Sequence, residues 1–126
     1  MFKTGNLYAV YGTLRKGFGN YNRLLNNEHC EYLGTQRTDP NFTMVSLGGF
    51  PVVIPSGKKE VTIEVFRVNQ PRIDKQLDFL EGYPSFYQKM KIQTQWGEAD
   101  MYILSEDYLG KKEVESGDWK EFIQGK

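Results

Sequence analysis

Glu81 is the residue of this chain best suited to exchanging protons. It directly precedes Gly82 at the predicted end of a helix, where the helix dipole disfavours an ionised carboxylate. The aromatic residues Tyr83, Phe86 and Tyr87 follow closely, and we expect them to remove water from it. Both effects raise a carboxyl pKa towards the range that suits proton transfer. Glu81 is therefore a candidate general acid and base; the alternative is an exposed glutamate that merely ends a helix.

A second candidate motif runs from Tyr11 to Arg15, after an apolar segment of the kind expected for a buried strand. Gly12 tolerates unusual backbone angles and lets a ligand approach the main chain. The successive backbone N–H groups of Gly12, Thr13 and Leu14 can converge on an anion, and Arg15 adds positive charge nearby. The motif predicts an anion-binding loop, although an ordinary turn after a strand has the same composition.

Two nucleotide-binding patterns begin in the same region and fail. Gly12 and Gly17 have the spacing of a phosphate-binding loop, but Phe18 and Gly19 stand where that loop needs lysine and then serine or threonine. The dinucleotide fingerprint fails as well, because Asn22 occupies the position of its last glycine. We therefore expect no nucleotide cofactor.

Metal and thiol chemistry have little support. His29 and Cys30 are adjacent, and the chain has one histidine and one cysteine, whereas a zinc site needs about three or four ligands. A cysteine nucleophile needs a histidine beside it in space, and adjacent residues usually point apart. We predict a solvent-facing His29, a buried Cys30, no metal and no cofactor.

The composition bounds the class of protein. A chain of 126 residues fits one domain with a real core. Its 16 basic and 16 acidic residues balance, which gives no sign of nucleic acid or an anionic membrane as a partner. The N-terminal residues 1–6 lack the apolar core of a signal peptide, and no apolar run is long enough to span a bilayer. We expect a cytoplasmic protein without a disulfide; a monomer is favoured, with the oligomeric state left open.

Hydrophobic patterns predict one clear helix among several strands. Ile73, Leu77 and Leu80 form one apolar face over Pro71–Glu81, and Asn20 is a candidate cap for a short helix through Leu25. A turn is expected at residues 55–58. The strand-like segments are 7–11, 32–38, 42–47, 52–54, 61–68 and a hairpin of 86–95 with 99–104. From residue 107 the chain is interpreted as a C-terminal extension of a single domain spanning 1–126, anchored by Trp119 and Phe122.

Several short motifs together resemble the gamma-glutamylcyclotransferase-like superfamily, in particular its gamma-glutamylamine cyclotransferase branch. The resemblance extends from about residue 7 to residue 104. Its departures are Ile63, where the family usually has glycine, and Lys89, where arginine is common. The matching segments are 10–15, 19–20, 50–53, 64–66, 77–83, 86–89 and 99–102.

This resemblance implies a small mixed α+β fold, with a compact barrel-like sheet and peripheral helices. It also implies a reaction in which the α-amine of a small gamma-glutamyl substrate attacks its own γ-carbonyl, releasing 5-oxoproline and a free amine. In that reaction Glu81 would be general base and then general acid. The substrate would be held by Gly12, Thr13 and Leu14, with Tyr11 and Tyr87 lining the pocket and Arg15 available to an anion.

Two other functions remain open at this point. The same pocket could belong to a non-catalytic module that binds a gamma-glutamyl compound or another small carboxylate. Alternatively, Trp119, Phe122 and the tyrosines could be anchors of a protein interaction domain, because aromatic residues are common at interfaces.

Overall fold

The protein, described by a computed structural model over residues 5–26, 28–83 and 85–124, is built from two sheets and a few short helices. The larger sheet has the strand order β2-β5-β1-β7-β6, and the smaller has the order β4-β3-β8. No helix in these ranges is long and apolar enough to cross a membrane. The strands are β1 (Asn6–Val10), β2 (Cys30–Arg37), β3 (Phe42–Ser46), β4 (Pro51–Lys59), β5 (Thr62–Val68), β6 (Gln88–Thr94), β7 (Gly97–Ile103) and β8 (Lys112–Glu113); the helices are a π-helix (Tyr21–Leu25), α1 (Pro71–Glu81), a 3-10 helix (Glu106–Tyr108) and α2 (Trp119–Gln124).

Strand β1 is the centre of the larger sheet. It pairs antiparallel with β5, with Tyr8 opposite Phe66, and parallel with β7. Every side chain from Leu7 to Val10 is buried. Because successive side chains of a strand point to opposite faces, Tyr8 and Val10 join one hydrophobic cluster, whereas Leu7 and Ala9 join a second. The strand therefore has core on both faces, and its end delivers the following loop into the interior.

Helix α1 covers the first cluster and has the bounds predicted from the sequence. Pro71 occupies the first turn, where a helix leaves N–H groups without intrahelical partners. Gly82 ends the helix in the left-handed conformation, with φ 69°, as glycine commonly does. Ile73 and Leu77 are buried against the cluster. The predicted helix, its apolar face and its C-terminal stop are confirmed.

The prediction that a turn at residues 55–58 ends a strand is wrong. Strand β4 continues through these residues, and they bulge out, because Thr43 pairs with Ile54 while Phe42 pairs with Lys59. The hydroxyl of Thr43 donates to the carbonyl oxygen of Ser56 at 2.6 Å, which ties the bulge to the neighbouring strand. Turn-forming residues here bend a strand without ending it.

The predicted cap at Asn20 is also wrong. Asn20 itself has helical backbone angles and makes no side-chain cap hydrogen bond. Its amide instead donates to the hydroxyl oxygen of Thr13 at 2.7 Å. The short helix that follows, Tyr21–Leu25, is a π-helix. Asn20 therefore braces the loop after β1.

The C-terminal segment is integrated into the core. Strand β8 pairs with β3, and the N–H of Thr62 donates to the carbonyl oxygen of Gly117 at 2.8 Å. The rings of Trp119 and Phe122 stack at 5.4 Å between centroids, packed on the second cluster. The predicted anchoring by these two aromatic residues is confirmed, and the segment from residue 107 supplies a strand and a helix to the fold.

Candidate active site

A pocket of about 350 Å³ opens where the loop after β1 meets the start of β4 and the end of α1. Six of the seven side chains or loop positions predicted for a site line it, and Arg15 does not. Those six are Tyr11, Gly12, Thr13, Leu14, Glu81 and Tyr87. The two motifs that lie about 70 residues apart in the sequence are thus brought to one cavity.

Glu81 is the last residue of α1 and is half-buried in the pocket wall. Within the described ranges, its carboxyl has neither a hydrogen bond nor an ion pair. Burial raises the pKa of this carboxyl from its ordinary 4.5 to about 7, because a charge in a poorly solvated place is disfavoured. At neutral pH both the acid and its carboxylate are populated, so Glu81 can take up and release a proton.

The aromatic surroundings of Glu81 differ in part from the expectation. Phe86 and Tyr87 line the pocket with it, as does Leu80. Tyr83 does not, because its ring is turned under the Lys89 ammonium, 4.3 Å from ring centroid to Nζ. The desolvation of Glu81 therefore comes from the pocket wall, without a contribution from Tyr83 as a lining residue.

The two tyrosines predicted to line the pocket are fixed by backbone carbonyls. The Tyr11 hydroxyl donates to the carbonyl oxygen of Tyr102 at 2.8 Å, and the Tyr87 hydroxyl donates to that of Pro51 at 3.2 Å. Burial first, with the nearby Glu81 charge among the further causes, raises the pKa of both phenols. Both therefore stay protonated at neutral pH, which leaves Glu81 as the group in this wall that can exchange a proton.

The loop after β1 presents consecutive unused backbone donors. In the described part of the chain, no hydrogen bond uses the N–H groups of Gly12, Thr13 and Leu14. Their carbonyl side is engaged: Gly12 accepts from the N–H of Arg15 at 3.0 Å, and Thr13 accepts from the N–H of Tyr21 at 3.2 Å. Buried backbone N–H groups normally have a hydrogen-bond partner. Consecutive N–H groups without one make this edge suited to an anionic ligand.

Gly12 does not adopt the unusual backbone angles that were one of the two reasons expected for a glycine here. Its φ angle lies outside the left-handed region, so backbone freedom is not what the position demands. A Cβ there would lie 2.9 Å from both Cγ and Cδ of Pro51. Glycine therefore allows the loop to pack directly on the opposite wall of the pocket.

Arg15 is the predicted site residue that the structure directs elsewhere. Its guanidinium is buried, with Nε 2.9 Å from Glu64 and one terminal nitrogen 2.9 Å from Asp118. The expectation that Arg15 offers positive charge to a pocket anion is therefore corrected. Two of its nitrogens donate to two carboxylates, and this anchors the loop from behind.

Tyr102 lines the pocket and was not predicted as a site residue. Its hydroxyl donates to Asp78 at 2.6 Å, and Lys89 Nζ lies 3.1 Å from the same carboxylate oxygen. A parallel contact joins the Tyr8 hydroxyl to Asp74 at 2.7 Å. Asp74 and Asp78 are one helical turn apart on α1, and this spacing is the sequence signal for the pair. Together these tyrosine–aspartate bonds hold the helix, and with it the glutamate at its end, against the sheet.

The residues set aside as a metal or thiol site stay apart from the pocket. Among the described residues, no group of three or more histidine, cysteine, aspartate or glutamate side chains is arranged to hold a metal ion. Cys30 is half-buried, with its Sγ 3.8 Å from the carbonyl oxygen of Leu24. It packs against the first hydrophobic cluster.

Comparison with known proteins identifies relatives over most of the chain. The family model described as gamma-glutamyl cyclotransferase, AIG2-like, matches residues 8–121. A gamma-glutamylcyclotransferase family protein of Escherichia coli, YtfP, is 36% identical over 110 residues, which cover 87% of this chain and 92% of the relative. Gamma-glutamylaminecyclotransferase A of Danio rerio is 37% identical over 90 residues, which cover 67% of this chain and 55% of that protein.

A solved structure of an AIG2-like protein has a similar fold. The crystal structure of an AIG2-like protein of Mus musculus matches with a TM-score of 0.74 at 25% identity, covering 92% of this chain and 90% of the mouse chain. This confirms the α+β fold that the motifs led us to expect. The relatives carry both the general family name and the amine-specific name, so they do not single out the gamma-glutamylamine branch.

Proposed function

The chain belongs to the AIG2-like gamma-glutamyl cyclotransferase family, and from that premise we propose that it cleaves a gamma-glutamylamine into 5-oxoproline and the free amine. The observation that carries this proposal is the Glu81 carboxyl, which lies half-buried in the pocket wall without a hydrogen-bond partner among the described residues. Burial raises the pKa of this carboxyl to about 7. A titratable group with a perturbed pKa in a pocket is a candidate for chemistry.

The reaction needs little more than a bent substrate and a proton carrier. The substrate's α-amine attacks its own γ-carbonyl carbon, which forms the ring C–N bond, and the original amide C–N bond breaks. Two protons leave the attacking nitrogen and two reach the departing nitrogen. Glu81, alternating between carboxylate and acid, transfers them in turn. Well-oriented intramolecular reactions gain about 7–11 kcal/mol from proximity, so the pocket's main task is to hold the bend.

The loop after β1 would hold the glutamyl end of the substrate. Its α-carboxylate is an anion, and the unused N–H groups of Gly12, Thr13 and Leu14 are the donors available to it at the pocket edge. Tyr11 and Tyr87 would form the walls around the aliphatic part. We make no assignment for Arg15, because its guanidinium is already paired.

Release of 5-oxoproline tests the proposal directly. We would incubate the protein, and separately Glu81→Gln, with a panel of gamma-glutamyl amines and dipeptides and detect 5-oxoproline by mass spectrometry. Product from the wild type and almost none from the variant is expected. Thermal stabilisation by these compounds without product would instead indicate a non-catalytic binding module, and the absence of both would contradict a gamma-glutamyl site.

The anion-binding loop has its own test in Gly12→Ala. The added Cβ would lie 2.9 Å from Pro51, so one wall of the pocket must shift, and we expect kcat/KM to fall about tenfold or more because the bent substrate is misplaced. Gly19→Ala is the matched control, since a Cβ there meets nothing within 4 Å. Equal kcat/KM values for the two variants would contradict the role given to the loop.

A further inference from the structure

We propose that the amine released by this protein is uncharged and apolar apart from its reacting nitrogen, and that it carries no carboxylate of its own. The inference rests on the proposed function and names the substrate class of the same pocket. It would separate amides of aromatic or branched aliphatic amines, which fit, from gamma-glutamyl derivatives of α-amino acids, which do not.

The first argument is the absence of positive charge. Within the described ranges, no lysine, arginine or histidine lines the pocket. Outside the lining, Arg15 is paired with Glu64 and Asp118, Lys89 is paired with Asp78, and Arg23 donates to Oδ1 of the lining residue Asn20 at 3.0 Å. A second carboxylate on the substrate would therefore find no cation among the described lining side chains.

The second argument is that the pocket has one anion-binding edge. The N–H groups of the loop from Gly12 to Leu14 are taken by the α-carboxylate of the glutamyl part. A further carboxylate on the leaving group would have to lie in the remaining space, where Glu81 is the one charged side chain among the described lining residues. Repulsion from the ionised form of that residue adds to the cost of removing an unpaired carboxylate from water.

The third argument is the apolar rim. Phe50 and Phe86 both line the pocket, yet they remain 39% and 41% exposed. The Phe86 ring is held edge-on by Tyr87 at 5.0 Å and by Tyr108 at 6.4 Å between centroids. A preformed aromatic surface at the mouth gains free energy by being covered with apolar groups. The leaving group is the part of the substrate that would cover it.

A matched pair of substrates tests the proposal. Gamma-glutamyl-2-phenylethylamine and gamma-glutamylphenylalanine differ by a single carboxylate. We expect kcat/KM for 5-oxoproline release to be at least about tenfold higher for the phenylethylamine compound, since a tenfold ratio corresponds to about 1.4 kcal/mol. Equal values, or a preference for the phenylalanine compound, would overturn the inference.

Binding of the same two compounds to Glu81→Gln keeps this inference distinguishable from the proposed function. Tighter binding of the phenylethylamine compound, measured by calorimetry, supports the proposed ligand class even if the wild type releases no 5-oxoproline, an outcome that would reject the cyclotransferase activity alone. Equal binding of both, or of neither, contradicts the ligand class.

A charge introduced at the rim should change the preference. Phe50→Arg places a cation beside the leaving group, and we expect it to shift the ratio of the two kcat/KM values at least about fivefold towards gamma-glutamylphenylalanine, as a desolvated ion pair allows. Phe79→Arg is the matched control, because Phe79 is 89% exposed on α1 and does not line the pocket. The ratio is unaffected by the amount of folded protein. A shift of the same size in both variants would contradict the assignment of Phe50 to the rim.

Discussion

Two glutamates of this protein lie out of bulk water in opposite circumstances. Glu64, on the inner strand β5, is 3% exposed and accepts from Arg15 Nε at 2.9 Å and from the Lys16 backbone N–H at 2.8 Å. Lys120 Nζ lies 3.4 Å from one of its oxygens. Glu81 is less buried, yet in the described part of the chain its carboxyl has no such partner. The more deeply buried acid is therefore the better satisfied one.

The difference separates a carboxylate that is paired within the fold from one that is proposed to react. Removing a buried charge that is surrounded by donors leaves those groups unpaired. A carboxyl that is desolvated without donors is held between its two forms, as the pKa of about 7 for Glu81 shows. The proposed proton carrier is therefore Glu81, which has no hydrogen-bond partner among the described residues, and not the more deeply buried Glu64.

The largest expected effect is the loss of activity when Glu81 is replaced. Glu81→Gln should lower kcat for 5-oxoproline release by about 10²–10⁴, the usual contribution of a general acid–base group. The fold should persist, because no hydrogen bond of that side chain is lost. Steady-state kinetics together with a far-UV circular dichroism spectrum would measure both. Near-normal turnover in the folded variant would show that Glu81 is not the proton carrier.

The matching variant of the other glutamate, Glu64→Gln, should lower stability and leave activity nearly unchanged. Its amide can still accept a hydrogen bond, but Arg15 keeps only Asp118 as an anionic partner, and we expect a loss of about 3 kcal/mol in the free energy of unfolding. Urea denaturation measures this loss. Activity per folded molecule should change by no more than a few fold, because Glu64 does not line the pocket and Asp118 still holds Arg15 behind the loop. A stable but inactive Glu64→Gln protein would reverse the assignment of the two roles.

Of the two glutamates, only Glu81 has a setting that could be predicted from the sequence. The end of α1 is encoded locally: Pro71 starts the helix, Gly82 stops it, and the apolar spacing between them sets its buried face. Glu81 is therefore placed by its immediate neighbours. The sequence also predicts the loop after β1, because glycine after an apolar strand is a local signal.

The partners of Glu64 were beyond the reach of local patterns. Arg15 contacts Glu64 across 49 residues of sequence and Asp118 across 103, and nothing near Arg15 in the chain distinguishes a buried ion pair from a free cation. The pairing of β1 with β7 is equally remote in sequence, and it brings Tyr102 to the pocket. Contacts between residues far apart in the sequence therefore determine which charged side chains remain available to a ligand.

The pH dependence of activity sharpens the comparison. Glu81 must be ionised to accept the first proton, and its carboxyl has a pKa of about 7. We therefore expect kcat/KM to fall about tenfold per pH unit below pH 7 and to level off above it. Rate measurements from pH 4 to pH 8 would locate this limb. A limb near pH 4.5, or a flat profile, would mean that the catalytic proton passes through another group.

The smallest expected effect is a change in the free energy of unfolding with pH, which follows from the raised pKa of Glu81. Between pH 4.5 and 7 the folded protein holds a proton on Glu81 that the unfolded chain has released, so the wild type loses stability as pH rises through this window. Glu81→Gln has no such proton and avoids the loss. Relative to the wild type, it should therefore gain on the order of 1–2 kcal/mol between pH 4.5 and pH 8, less than the full shift implies because the carboxyl is partly exposed. Urea denaturation at the two pH values measures the gain, with Glu115→Gln, an exposed glutamate, as the control for removing one negative charge. An equal gain in both variants would assign the effect to net charge and remove the evidence that Glu81 is desolvated.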